Sequence, residues 1–284
     1  MAKLEPYIGD YYLWEYIPSI AASIIFFLLF LVPTIFHTWK AWKTRARFCI
    51  PFCLGGLFEV IGFAARAACT DRTGKLMPYI IQSVFILLGP VLFAASVYMA
   101  LARIIRSAGG EKYSLIRITR VTKTFVAGDI IAFLVQGSGA GMMAMDGMAD
   151  AAKAIVICGL VVQIGVFGFF IASAVVFERR MGRALASTTG REALLWKKHL
   201  YPLYAVSALI MVRSVFRVVE YAMGQKGYLL AHEWPMFVFD AVLMVGVMVI
   251  WGVWHPGLIG KEGAHGYGGG AELLSSVGSY QSKA

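Results

Sequence analysis

The stretch HLYPLYAVSALIMVRSVFRVVEYAM, residues 199–223, decides how the chain folds. It is long and apolar enough to cross a hydrocarbon core of roughly 30 Å. Yet its second half, VRSVFRVVEY (212–221), carries Arg213, Arg217 and Glu220. A soluble amphipathic helix spreads polar residues over a whole face. Here the three charges stand at i, i+4 and i+7. At about 100° per residue they share an arc of about 60° on an otherwise apolar helix. This is the pattern of a membrane span with one polar stripe.

The surrounding sequence reads the same way. Of 284 residues, 59% are hydrophobic and 15% charged, against about a quarter charged in soluble domains. The hydrophobic residues come in long blocks and not at helix-face spacing. The fold class is therefore all-α: a polytopic membrane protein with a bundle of seven transmembrane helices. The expected spans are 17–39, 48–70, 77–102, 120–144, 152–177, 199–223 and 235–254. Residues 1–16 form an N-terminal segment, 17–257 the helical domain, and the Gly- and Ser-rich 258–284 a disordered tail. No internal repeat is evident. The N-terminus lacks the basic flank and short apolar core of a cleavable signal peptide.

Charge sets the orientation. Lys40, Lys43, Arg45 and Arg47 fall between the first two spans, and Arg103, Arg106, Lys112 and Arg117 between the third and fourth, with Arg120 and Lys123 at the adjoining edge of the fourth. Arg179, Arg180, Arg183, Arg191, Lys197 and Lys198 fall between the fifth and sixth. The opposite side holds Lys3, Arg72, Lys75, Lys153 and Lys226. The positive-inside rule puts the first set in the cytoplasm, the N-terminus outside and the C-terminus inside. The net charge of +10 is accounted for by these clusters. No nucleic-acid motif accompanies it, so nucleic acid is not an expected partner. Cys49, Cys53, Cys69 and Cys158 all lie in spans and imply no disulfide framework. The absence of asparagine removes any N-glycosylation sequon.

A charge at mid-bilayer costs at least ~2.5–3.5 kcal/mol on insertion scales. Glu59, Arg66, Asp129, Arg213, Arg217, Glu220 and Asp240 all stand within spans or at their edges. Glu59 and Arg66 share a face of the second span, Asp129 and Gln136 a face of the fourth. Gln82 adds a polar group on the third. These nine residues form the candidate ligand-binding or polar network. Several polar stripes can converge on one interior space. They either fix helix packing or bind the head of an amphipathic ligand whose tail lies against apolar walls. A proton or ion relay is the third reading. Within VRSVFRVVEY, Arg217 is expected to pair with Glu220 or with neighbouring acids, and Arg213 with Glu59 or Asp129. A carboxylate left over could meet a cationic amine, with Glu220 and Asp240 the first to test.

Other classes fit less well. No catalytic residue, resident metal or cofactor is assigned. The histidines sit near span ends, in a loop or in the tail. His37 and His255 share the inner side and offer a conceivable metal or haem contact. No P-loop occurs. GSGAG (137–141) follows no strand, so close helix packing is expected of it. Gly89-Pro90 marks a kink in the third span. A receptor has the same topology, but the third span ends MALARIIRS, and the chain has neither an NPxxY motif nor a lysine in the seventh span.

GGLFEVIGFAARA (55–67), YIIQSVFILLGPVLFAASVYMALARII (79–105) and GDIIAFLVQGSGAG (128–141) resemble signature segments of a fungal family. So do VRSVFRVVEYAMGQKGYLLAHEWPMFVFDAVLMV (212–245) and WHPG (254–257). This is the lipid-translocating exporter family, also described through aminocholesterol resistance. The resemblance implies a seven-helix fungal membrane protein, often at the plasma membrane. It also implies links to resistance against toxic amphipaths, sphingoid-base release or porphyrin uptake. Its polar motifs match the nine residues above and add Glu233 in the outer loop. The expected function is binding, and possible translocation or export, of an amphipathic lipid or sterol-like molecule. A lipid-sensing receptor without transport is the alternative, with an intramembrane enzyme behind it. Oligomeric state is not readable from the sequence.

Overall fold

Backbone polar groups have no water to bond in hydrocarbon, so each apolar block must close its own hydrogen bonds as a helix. The structure, a computed structural model, describes residues 14, 16–70, 73–142, 148–184, 192–224, 227–254 and 256. Their regular structure is helical throughout. The elements are α1 (Ile20–Thr44), α2 (Ile50–Cys69), α3 (Leu76–Ser107), α4 (Ile118–Met142), α5 (Ala149–Ala184) and α6 (Glu192–Met223). The last helix, α7, is Trp234–Trp254 and contains a π-helical segment, Phe237–Val242. The expected tail, 258–284, and most of the N-terminal segment lie outside the described residues.

Among the described residues six helices combine the length and apolarity needed to cross a membrane: α1, α2, α3, α5, α6 and α7. The seventh, α4, is 25 residues long but diluted by Arg120, Lys123, Asp129 and Gln136. It packs between α3 and α5. α1 lies at the periphery, with Ile25, Leu28 and Val32 turned outward; α3 is central, touching α2, α4 and α6. α7 closes against α6 and α1.

Several helices outrun the expected spans. α5 has 36 residues, about 54 Å at 1.5 Å per residue and well beyond a hydrocarbon core. Arg103, Arg106, Arg179, Arg180, Arg183, Lys197 and Lys198, read from sequence as loop residues, therefore stand on helical extensions. The reason is local. Arginine and lysine are good helix formers, and a helix leaving the bilayer loses nothing by continuing.

Small residues permit the closest crossings, as is usual between membrane helices. A Cβ at Gly55 would lie 2.7 Å from the Gly89 carbonyl oxygen, and one at Gly62 2.6 Å from Ile86, so α2 and α3 meet almost backbone to backbone. Gly139 and Gly159 serve the α4–α5 crossing, each with a carbonyl oxygen 2.9 Å from where a Cβ would stand. Within GSGAG the close packing is thus carried by Gly139, while Gly137 faces open space. Aromatic rings fill the remaining core. Phe52 stacks on Trp251 at 4.5 Å and Phe26 on Phe237 at 4.8 Å. His37 Nε2 lies 3.0 Å from the Met248 carbonyl oxygen and ties α1 to α7. His255 lies outside the described residues. The four cysteines are free.

Candidate functional site

The polar stripe of α6 meets α7 and α3 in the core. Arg213 Nε donates to Asp240 Oδ1, and its Nη2 donates to the Ile86 carbonyl oxygen at 3.0 Å. Arg217 donates to Asp240 Oδ2 through Nη2, and to Glu220 Oε2 at 2.9 Å through Nη1. Asp240 thus holds one arginine on each oxygen. Arg213, Glu220 and Asp240 are each at most 2% exposed.

Two backbone irregularities build this arrangement. Pro90 lies inside α3 and has no N–H, so the carbonyl four residues earlier, that of Ile86, loses its intrahelical partner. Arg213 supplies the replacement. Asp240 lies in the π segment of α7, a widened turn of a kind often found at functional positions.

Glu59 of α2 completes the cluster. It is 1% exposed and within electrostatic range of Asp240, Arg213 and Arg217. Its Oε1 has no hydrogen-bond partner among the described residues. Gly89 makes room for it: a Cβ at that position would lie 2.6 Å from Glu59 Oε1. The cluster therefore sets three acids, Glu59, Glu220 and Asp240, against two bases, Arg213 and Arg217. The odd acid is Glu59.

A second assembly lies around Arg66. Its guanidinium donates to Glu233 Oε1 at 2.6 Å, Tyr16 Oη at 3.0 Å and Gln82 Oε1 at 3.1 Å. Trp14, Tyr16 and Phe237 rings surround it at 5.2–5.8 Å. Glu233 in turn accepts from the Ser19 backbone N–H at 3.1 Å on each oxygen. A carboxylate at the first turn of α1 also complements the helix dipole. One ion pair thereby ties the start of α1 to α2, α3 and the segment before α7.

The remaining polar residues pair elsewhere. Tyr98 Oη donates to Asp129 Oδ2 at 2.8 Å between α3 and α4. Gln136 Nε2 donates to Gln163 Oε1 at 3.0 Å between α4 and α5. Eight of the nine sequence-selected residues thus fall into four hydrogen-bonded groups, not one shared space, and Glu59 stands beside the central group within electrostatic range. Arg213 pairs with Asp240 and not with Glu59 or Asp129. Arg217 has both expected kinds of partner, Glu220 and an acid on a neighbouring helix.

Tyr98, Gln163 and the Ile86 carbonyl were not singled out from the sequence. Two of them left a signal there. Pro90 marks Ile86 as the residue with a freed carbonyl, and Gln163 interrupts the apolar run GLVVQIGVF (159–167).

Comparison with known proteins bears on what this bundle does. The family model described as RTA1 like protein matches residues 52–262. The chain belongs to the RTA1-like family. Within it, the chain is similar to Protein RTA1 of Saccharomyces cerevisiae, 33% identical over 86% of this chain and 84% of the relative. It is 31% identical to Protoporphyrin uptake protein 1 of the same yeast, over 86% and 92%. It is 22% identical to that yeast's Sphingoid long-chain base transporter RSB1, over 86% and 73%. No solved structure matches. The RTA1-like match takes in nearly all of α2 and the helices through α7, and so the charged residues of both assemblies, while Trp14, Tyr16 and Ser19 precede it.

Proposed function

We propose that this protein binds an amphipathic, lipid-like molecule within the helix bundle and moves it across a membrane. It acts as a transporter and not as an enzyme. The observation that carries the reading is the uneven central cluster, with three buried acids, one buried and one half-buried base, and an unpartnered oxygen on Glu59. A primary amine, as on a sphingoid base or aminosterol, supplies the missing cation, and the apolar bundle accommodates its tail. Relatives named for transport of a sphingoid base and uptake of a porphyrin support a lipid-like or amphipathic cargo. Asp240 and Glu220 already hold arginines, so the amine contact belongs to Glu59. The ligand enters after the bundle opens, because the cluster is shut away in this conformation. The charge distribution supports an N-terminus outside and a C-terminus in the cytoplasm; the plasma membrane is the proposed location.

The test is native mass spectrometry of the purified protein with a long-chain amine, beside its N-acetylated analogue. Bonds to charged groups contribute about 1.5–3 kcal/mol, so Glu59→Gln is expected to weaken amine retention roughly tenfold to a hundredfold. The neutral analogue should be unaffected. Equal retention of the amine by wild type and a folded Glu59→Gln variant sinks the amine site. Amine flux into proteoliposomes containing this protein alone separates transport from ligand sensing.

A further inference from the structure

Asp129 is the buried acid that the central cluster does not use. It is 2% exposed on α4. Oδ2 accepts from Tyr98, while Oδ1 is buried without a hydrogen-bond partner among the described residues. The surroundings are hydrocarbon. Tyr98 packs against Phe125, Phe167 and Phe170 at ring distances of 5.3, 6.0 and 4.6 Å. Val166 of α5 faces Gly128 beside it.

The charged and titratable neighbours can be followed helix by helix. From α3 the facing group is Tyr98. From α5, Phe167 and Phe170 pack on the Tyr98 ring and Val166 faces Gly128. On α4 itself Lys123 is exposed, six residues earlier in the chain. Arg103 of α3 lies over the Phe48 ring at 4.0 Å. No ion pair among the described residues includes Asp129.

An ionised carboxylate here leaves a full charge with one oxygen unsolvated, in a medium where such charges are rare unless paired. A neutral acid leaves only one unpaired hydroxyl. A metal cation is disfavoured as the partner, since the rings offer no further oxygen ligands. We propose that Asp129 is a proton-binding site. In this closed bundle the proton rides on Oδ1 while Tyr98 donates to Oδ2. When the α3–α4–α5 interface admits water, the proton leaves to solvent and the charge is hydrated. If the bundle opens to transport lipid, each such opening exchanges a proton. This second clause rests on the proposed transport; the proton site itself does not.

Infrared difference spectroscopy on the reconstituted protein near neutral pH tests the site. Subtracting Asp129→Asn from wild type should reveal a neutral carboxyl C=O stretch that shifts in D2O. Tyr98→Phe should displace the same band upward as its hydrogen bond is lost. Loss of ionised-carboxylate bands in Asp129→Asn, or an unchanged carboxyl region in Tyr98→Phe, overturns the proposal. The second variant decides the matter if the first does not fold.

Coupling is read in proteoliposomes carrying an internal pH dye and challenged with a long-chain amine. Wild type should move protons with the probe, and Asp129→Asn should not, while probe retention by native mass spectrometry persists. Retention with equal proton movement in both overturns the coupling and leaves the lipid-binding reading standing.

Discussion

Replacing Asp240 by asparagine tests the central cluster most severely. The carboxylate neutralises Arg213 with one oxygen and Arg217 with the other, and it is buried in the π segment of α7. Asparagine keeps the shape but has no charge, and its amide N–H2 faces one guanidinium donor against donor. Glu220 remains for Arg217. Arg213 keeps only the Ile86 carbonyl. Removing one partner of a buried pair costs about 3–5 kcal/mol, because the other charge stays behind unsolvated. Combining Asp240→Asn with Arg213→Gln removes both charges, so most of the loss should be recovered. The residues touch, and their effects should therefore be strongly non-additive, by roughly 0.5–3 kcal/mol. The assay is unfolding of the purified protein by SDS titration, followed by tryptophan fluorescence. An Asp240→Asn variant within about 1 kcal/mol of wild type would refute the pairing, given the cost expected from breaking a buried ion pair. So would a double variant no more stable than the sum of the singles.

Other perturbations follow from the same geometry. Glu59→Gln removes the odd acid of the cluster and strands no paired partner, so the same titration should show stability unchanged or raised, opposite to Asp240→Asn. Gly55→Ala forces a Cβ against the Gly89 carbonyl and should cost about 1–3 kcal/mol as an overpacked contact. Gly137→Ala, which meets open space, should be tolerated or gain up to about 1 kcal/mol of helix propensity; equal losses at the two sites would discredit the α2–α3 crossing. Glu233→Ala uncaps Ser19 and unpairs Arg66, so hydrogen exchange should speed up in the first turn of α1. Unchanged protection there would dissociate the latch from the helix start. Pro90→Ala returns an N–H to the Ile86 carbonyl. A double-mutant cycle with Arg213→Gln should then show coupling of about 1 kcal/mol, the worth of the displaced hydrogen bond.

Much of this architecture is written along the chain. Apolar blocks of span length fix the membrane and the helices, because unsatisfied backbone groups cannot exist in hydrocarbon. The i, i+4, i+7 spacing of Arg213, Arg217 and Glu220 fixes their common face, since helix geometry alone sets azimuth. GSGAG flags close approach on α4, carried by Gly139, and Pro90 flags a kink in α3. Azimuth, however, does not name the neighbour. That Arg213 meets Asp240 and Ile86 instead of Glu59 depends on helix order, rotation and the π turn, which arise only from packing. Packing likewise separates Asp129 and Gln136 from the central cluster and brings Glu233, 167 residues away in sequence, onto Arg66. Local sequence determined which residues are polar, how deep they lie and which of them share a helix face. The tertiary structure decided which charges cancel and which two acids, Glu59 and Asp129, keep an unpartnered oxygen. Charge balance in a low-dielectric core depends on distances between helices, and no single helix contains those distances.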